Sequence, residues 1–321
     1  MRASKKQSAA TLNIPADAII VPKKRQDVVF PIVNAIILII LMAITLYPVI
    51  NTVAYSFSDD IDALRGGITV YPRVFSLHSY DKLINDSQLY RAFLVTASKT
   101  IIITVLNLVL TSMLAFALSR KEYPLRKPIT IILVLTMYFN AGIIPTFLWV
   151  GKKLGLMNVY WVYIIPCMFS CFNMIVLRTY IAGLPEALVE SARIDGASDF
   201  RTFWQIIFPL CTPVLATVAL FVAVGSWNSW FETKLYIQKG KNLKALQTLQ
   251  YYLQSQLQTA GNSGSNAAGA TADAMKNKDA VTSTVAFRSA VTVVSSIPIL
   301  VVYPFLQKYF VTGMVLGSVK G

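Results

Sequence analysis

Six stretches of this chain contain no Asp, Glu, Lys or Arg: residues 28–58, 100–119, 128–151, 154–177, 202–231 and 289–307. A helix rises 1.5 Å per residue, so ~20 apolar residues cross the hydrocarbon of a bilayer, and each run reaches or nearly reaches that length. The runs are continuously apolar. Barrel strands would instead alternate over about ten residues between turns, so helices are expected. A hydrophobic content of 55%, only 14% charged residues and a mean hydropathy of +0.57 exclude a soluble domain of this length. The expected class is an all-α membrane protein with six transmembrane helices. The first run follows a polar tail and exceeds a signal-peptide core, so it reads as a retained span.

Basic residues in short segments set the expected orientation. Arg2, Lys5, Lys6, Lys23, Lys24 and Arg25 precede the first run, and Arg120, Lys121, Arg126 and Lys127 crowd the link between the second and third. Both segments should face the cytoplasm. An even number of spans then puts the amino and carboxyl termini on that side. The last outer loop carries seven basic residues against this rule, but long loops weigh little in it. The domain reading is a cytoplasmic tail (1–27), a six-span domain (28–312) and a cytoplasmic tail (313–321). An outer loop spans 59–91 and a polar insertion spans 232–284. The Gly, Ser and Ala-rich centre of that insertion, 259–271, is expected to be mobile, and 243–257 to form a short helix.

The net charge of +14 is spread over tails and loops without a stripe, an aromatic platform or a zinc-finger spacing, so membrane topology explains it better than nucleic acid. Cys167, Cys171 and Cys211 lie inside apolar runs and read as core packing. His78 is the sole histidine and has no carboxylate or cysteine cluster at ligand spacing, which gives a solvated loop residue, no metal site and no catalytic residues. No G-x-x-x-x-G-K-[ST] phosphate loop is present, so any energy from ATP must come through another subunit.

Between the fourth and fifth runs, residues 185–209 set Glu186, Glu190, Arg193, Asp195, Asp199 and Arg201 close together. Submerged, six charges at ~2.5–3.5 kcal/mol each would cost on the order of 15 kcal/mol or more, so they lie outside hydrocarbon. Pro185 suits a first helical position, Asp195-Gly196 a turn, and Ser198 the cap of a second helix beginning near Asp199. The product is a short helix–turn–helix over 185–205. Ala187, Leu188 and Ala192 on one arm, with Phe200, Phe203 and Trp204 on the other, offer an apolar knob flanked by charge, as a helix-in-groove contact requires. An amphipathic connector resting on lipid is the alternative on these grounds alone.

The spacing decides between them. Glu190-Ser-Ala192, three residues, Gly196, nine residues, then Ile206-x-Phe208-Pro209 resembles the EAA loop by which permeases of ABC importers grip their ATPase. Ser191 replaces the usual middle residue and Phe208 the usual Leu. The segments 137–145 and 227–231 and the ending 303–321 are similar to carbohydrate-importer permeases, specifically the shorter partner of the maltose-type pair. The resemblance implies a type I ABC-importer permease fold in a bacterial cytoplasmic membrane. It implies as partners a second, different permease, an ATPase dimer, an extracytoplasmic solute-binding protein and an oligosaccharide or related glycoside. No cofactor is expected on this chain, ATP and Mg being used by the ATPase. The implied coupling residues are Glu186, Glu190, Ala192, Asp195, Gly196, Phe200, Phe203 and Pro209, and the implied tail contact is Gly317 with Lys320.

The translocation path is expected to involve Asn140 and Asn173, polar groups at membrane depth, and Trp227, Asn228 and Trp230. Trp227, Trp230 and Phe231 would share a helical face by their i, i+3, i+4 spacing, which serves equally for belt or packing. The rival readings are an ABC permease for a non-sugar solute and a secondary transporter. The absence of Asp and Glu from all six runs disfavours the second.

Overall fold

The computed structural model describes the backbone of residues 25–139, 141–238, 240–264 and 284–318, and side chains over 29–139, 141–238, 240–256 and 285–304. Asn140 and Lys320 lie outside the described residues. The described chain is helical, with a single isolated bridge between Ser58 and Phe75. Three helices are long and apolar enough to cross a membrane, and up to six spans result if each of three bent helix pairs counts as one.

Two units divide the chain near Ile50. Helix α1 (Arg25–Ser56) supplies the first, where every described residue from Val29 to Ile50 is exposed and nearly all are apolar. The second unit starts at Asn51, whose side-chain amide donates to the carbonyls of Ile68 and Thr69. The expected outer loop 59–91 is largely helical here: α2 (Asp60–Arg65) and α3 (His78–Ile84) fill it, and α4 begins at Ser87. His78 therefore opens a helix. Its side chain stays half exposed, 3.9 Å from Asp60.

Helix α4 (Ser87–Ser119) organises the second unit, with α7 (Cys171–Ala182) and α11 (Thr212–Asn228) packed along it. Asp86 caps its start, accepting from the amides of Gln88 at 2.8 Å and Leu89 at 3.3 Å. The apolar run begins only at Thr100, but the helix extends back to Ser87 and carries Lys99 with it. Thr96, Lys99, Thr100, Ile103, Asn107, Thr111 and Ala115 are all buried, a largely polar stripe at three- and four-residue spacing that turns inward.

The third, fourth and fifth runs are broken. Helix α5 (Arg126–Tyr138) stops before Gly142, whose φ of +85 suits only glycine, and α6 (Ile143–Phe147) then widens into a π turn, Leu148–Lys153. The fourth enters through 3-10 turns at Tyr160–Tyr163 and Ile165–Cys167 before α7, with a 42° bend. The fifth, read as one span over 202–231, begins only at α11. Its first nine residues belong to α9 (Asp199–Thr202), a π turn (Phe203–Ile207) and α10 (Phe208–Leu210), which meet α11 at 80°. Pro209 and Pro213 explain the corner: neither has an N–H to donate, and the Pro209 ring crowds the carbonyl one turn earlier, where the ladder widens to π geometry.

The insertion after α11 is structured where it is described. Helices α12 (Phe231–Tyr236), α13 (Lys241–Leu246) and α14 (Leu249–Gly264) fold back on the unit, and α14 continues through residues 259–264, the start of the stretch expected to be mobile. The short helix expected over 243–257 is split at Gln247 and Thr248, both of which are buried. The Thr248 hydroxyl donates to the Ser229 carbonyl, and the Leu249 amide donates to the Thr96 hydroxyl at 2.8 Å. Tyr252 donates to Asp86 at 2.6 Å, tying α14 to the cap of α4. The last helix, α15 (Thr284–Ser318), packs on α11 and α14 and runs through Gly313 and Gly317, so the expected tail is helical to Ser318.

Candidate functional site

The charged segment folds as the residues dictate. Helix α8 (Ala187–Ile194) starts two residues after Pro185, with Glu186 at its cap, and ends at a glycine-closed turn. The Gly196 amide donates to the Arg193 carbonyl at 3.0 Å and the Ala197 amide to the Ala192 carbonyl at 2.9 Å, the paired bonds of a Schellman motif. Gly196 sits at φ +74, and a Cβ there would meet nothing within 4 Å. Backbone conformation, not crowding, requires the glycine. Ser198 caps α9, its hydroxyl accepting from the Arg201 amide at 3.3 Å.

One face of this pair is fixed to the bundle. Val189 of α8 is buried with Phe203, which is 3% exposed, among Phe116 and Leu118 of α4 and Leu177 and Ile181 of α7, and Ala192, three residues after Val189, is buried as well. Phe203 packs 5.7 Å from Phe116, 5.1 Å from Trp204 and 5.7 Å from Phe208. Ala192 and Phe203 were expected on the outward knob; both are buried instead, Phe203 against Phe116 of α4. The outward face carries Glu186, Ala187, Glu190, Ser191, Asp195 and Gly196, with Ile194 86% and Phe200 64% exposed. Pro209 is exposed at the corner. Ile194 escaped the sequence reading, although it stands seven residues from Ala187 and hence on the same helical face.

Two ion pairs brace the segment against the turn between α4 and α5. Lys121 binds Glu186 at 2.7 Å. Arg193 binds Glu122 at 2.6 Å and approaches Asp199 at 3.8 Å. The hydrogen bond from Arg193 holds the Glu122 carboxyl below the ordinary carboxylate range, and that from Lys121 does the same for Glu186. Glu122 in turn raises Arg193. Glu190 and Asp195 make no ion pair among the described residues, which leaves their charge for an outside contact. A groove of about 410 Å³ lies beside the braces, bordered by Met113, Tyr123, Pro124, Arg193 and Phe200.

The expected path residues are not brought together. Asn173 is buried, donating to Asn107 at 3.3 Å, and Asn107 donates to the Cys167 carbonyl at 3.2 Å; both asparagines border a cavity of about 340 Å³. Trp227 is core. It stands edge-on to Phe93 at 5.8 Å and donates its indole N–H to the Ser295 carbonyl at 3.1 Å. The helical face proposed for Trp227, Trp230 and Phe231 does not form, because α11 ends at Asn228 and Ser229 is extended. Asn228 is exposed and accepts from Gln250, and Trp230 lies under the Lys234 ammonium at 5.6 Å. Of the cysteines, Cys211 is buried and Cys171 partly so, whereas Cys167 is exposed on the cavity rim.

A multi-pass helical membrane protein, with a charged helical pair fixed by its inner face and open on its outer one, is the class this arrangement defines. The chain belongs to the family of binding-protein-dependent transport system inner membrane components, which matches residues 124–316, and is a permease subunit of that kind. It is 36% identical to protein LplC of Bacillus subtilis over 91% of this chain and 95% of LplC. It is 35% identical to the polygalacturonan/rhamnogalacturonan transport system permease protein YtcP of the same organism, over 88% of this chain and 96% of YtcP. A chain from the crystal structure of a bacterial ABC transporter involved in the import of the acidic polysaccharide alginate superposes with a TM-score of 0.77 at 30% identity. The match covers 89% of this chain and 98% of that one.

Proposed function

We propose that this chain is one of two different permeases of an ATP-driven importer of oligosaccharides or related glycosides in a bacterial cytoplasmic membrane. A separate ATPase dimer binds and hydrolyses ATP with Mg, and an extracytoplasmic binding protein delivers the sugar. The observation that carries the reading is the two-faced α8–Gly196–α9 segment. Its inner face is buried with α4 and α7, so a push on Ile194, Phe200 or Glu190 moves the bundle as a body, while its outer face offers apolar contacts ringed by charge. Closure of the ATPase dimer draws this segment inward and opens the bundle on the far side, and hydrolysis resets it. Gly317 and Lys320, of the segment 313–321, extend the contact toward the ATPases.

The sugar class rests on relatives named for polygalacturonan/rhamnogalacturonan, arabinooligosaccharide and alginate transport. Mass spectrometry of proteins retained by the tagged chain in mild detergent tests the assembly. The wild type is expected to retain a second permease and an ATPase, and Gly196→Trp to lose the ATPase alone. A chain that purifies by itself in both forms would sink the proposal.

A further inference from the structure

Glu232, in the first turn of α12, borders two neighbouring cavities. The larger, about 340 Å³, is walled in part by Asn107, Tyr163, Asn173, Ser226 and Ser229; the other, about 280 Å³, is more apolar and shares Pro166 and Cys167 with it. One carboxylate oxygen of Glu232, Oε2, is buried and accepts no hydrogen bond among the described residues. The nearby cation does not satisfy it. Lys99, 1% exposed, donates to the Ser229 hydroxyl and lies 5.2 Å from the centroid of the Tyr163 ring, and no ion pair within 4.0 Å joins it to Glu232. The Tyr163 hydroxyl is also engaged, at 2.9 Å from Thr233 and 2.8 Å from the Leu246 carbonyl.

A buried acceptor without a donor is costly, and an ionisable group lining a cavity at the mouth of a helical bundle is a candidate for ligand contact. The Glu232 side chain as a whole is partly exposed and lines both cavities, so a hydroxyl there can donate to its carboxylate while accepting from a side-chain amide such as those of Asn107 and Asn173. A second carboxylate entering the cavity would meet the like charge of Glu232, while Lys99, 1% exposed and donating to Ser229, is not open to pair with it. We infer that this chain itself contacts the passing solute here, with Glu232 accepting hydroxyl hydrogen bonds from a neutral sugar unit in preference to a uronate. The inference rests on the sugar-import reading above.

The test uses the complete importer in proteoliposomes with saturating binding protein, and radiolabelled maltotriose, arabinotriose, raffinose and trigalacturonate as probes. In Glu232→Ala, uptake of whichever neutral trisaccharide the wild type carries is expected to fall about tenfold. Glu232→Gln, which keeps a neutral acceptor, should lose about threefold. ATPase stimulation by the liganded binding protein should stay within twofold of wild type in both, which a merely structural role would not allow. Unchanged uptake in Glu232→Ala, as expected if water alone sits on Glu232, overturns the assignment. So does an equal loss of uptake and ATPase stimulation, or a wild type that carries only trigalacturonate. A wild type that carries none of the four removes the sugar reading itself.

Discussion

Replacing Gly196 by alanine isolates one physical quantity. The added methyl meets no atom within 4 Å, so the only cost is holding an L-residue at φ +74. That left-handed conformation costs about 1–2 kcal/mol per residue. The turn cannot escape by swinging freely, since Val189 and Ala192 on one side and Phe203 on the other are buried. The strain therefore appears as easier local opening. About 1–2 kcal/mol corresponds to a 5–30-fold rise in the open population. Hydrogen exchange of the Gly196 and Ala197 amides reads it directly, because their bonds to the Arg193 and Ala192 carbonyls break on opening. In the assembled complex in nanodiscs, the amides at 196 and 197 of Gly196→Ala should exchange 5–30 times faster than wild type. Gly196→Asn, which tolerates this conformation better, should fall between the two. Equal exchange in all three, or Asn as disturbed as Ala, would refute the argument from backbone conformation.

Phe203→Ala removes a ring from the cluster that anchors the segment, so a loss of about 3–5 kcal/mol is expected, read as a lowered thermal midpoint of the purified complex and as loss of the ATPase. Thr96→Val strips the acceptor from the buried Leu249 amide and should cost about 1–3 kcal/mol, seen as faster exchange at the start of α14 with α8 unchanged. The braces respond to acid. Glu122 and Glu186 have folded-state pKa values below the ordinary one, so the stability they contribute is complete above the ordinary carboxylate value and is lost as pH falls through their depressed values. Protease nicking between α4 and α5 should rise over that acidic window, and the double variant Glu122→Gln, Glu186→Gln should show the high-nicking behaviour at every pH.

Features that need no neighbour could be read from the residues alone. Uncharged runs of membrane length fix the class because hydrocarbon excludes charge wherever the helices pack. The Asp195-Gly196 turn and the Ser198 cap are local backbone chemistry, and both stand where their residues imply. Tertiary structure alone decided which side chains face the interior. Phe203 turns inward because residues of α4 and α7 pack around it, and Trp227 is core because α15 presents the Ser295 carbonyl to its indole. Lys99 looks like the boundary of a span and is instead buried, since Ser229 and Tyr163, distant in sequence, supply its partners. The polar insertion after α11 packs for the same reason, through Thr96 and Asp86, residues far earlier in the chain. Periodicity tells which residues share a face of a helix; only the elements packed around that helix determine what the face meets.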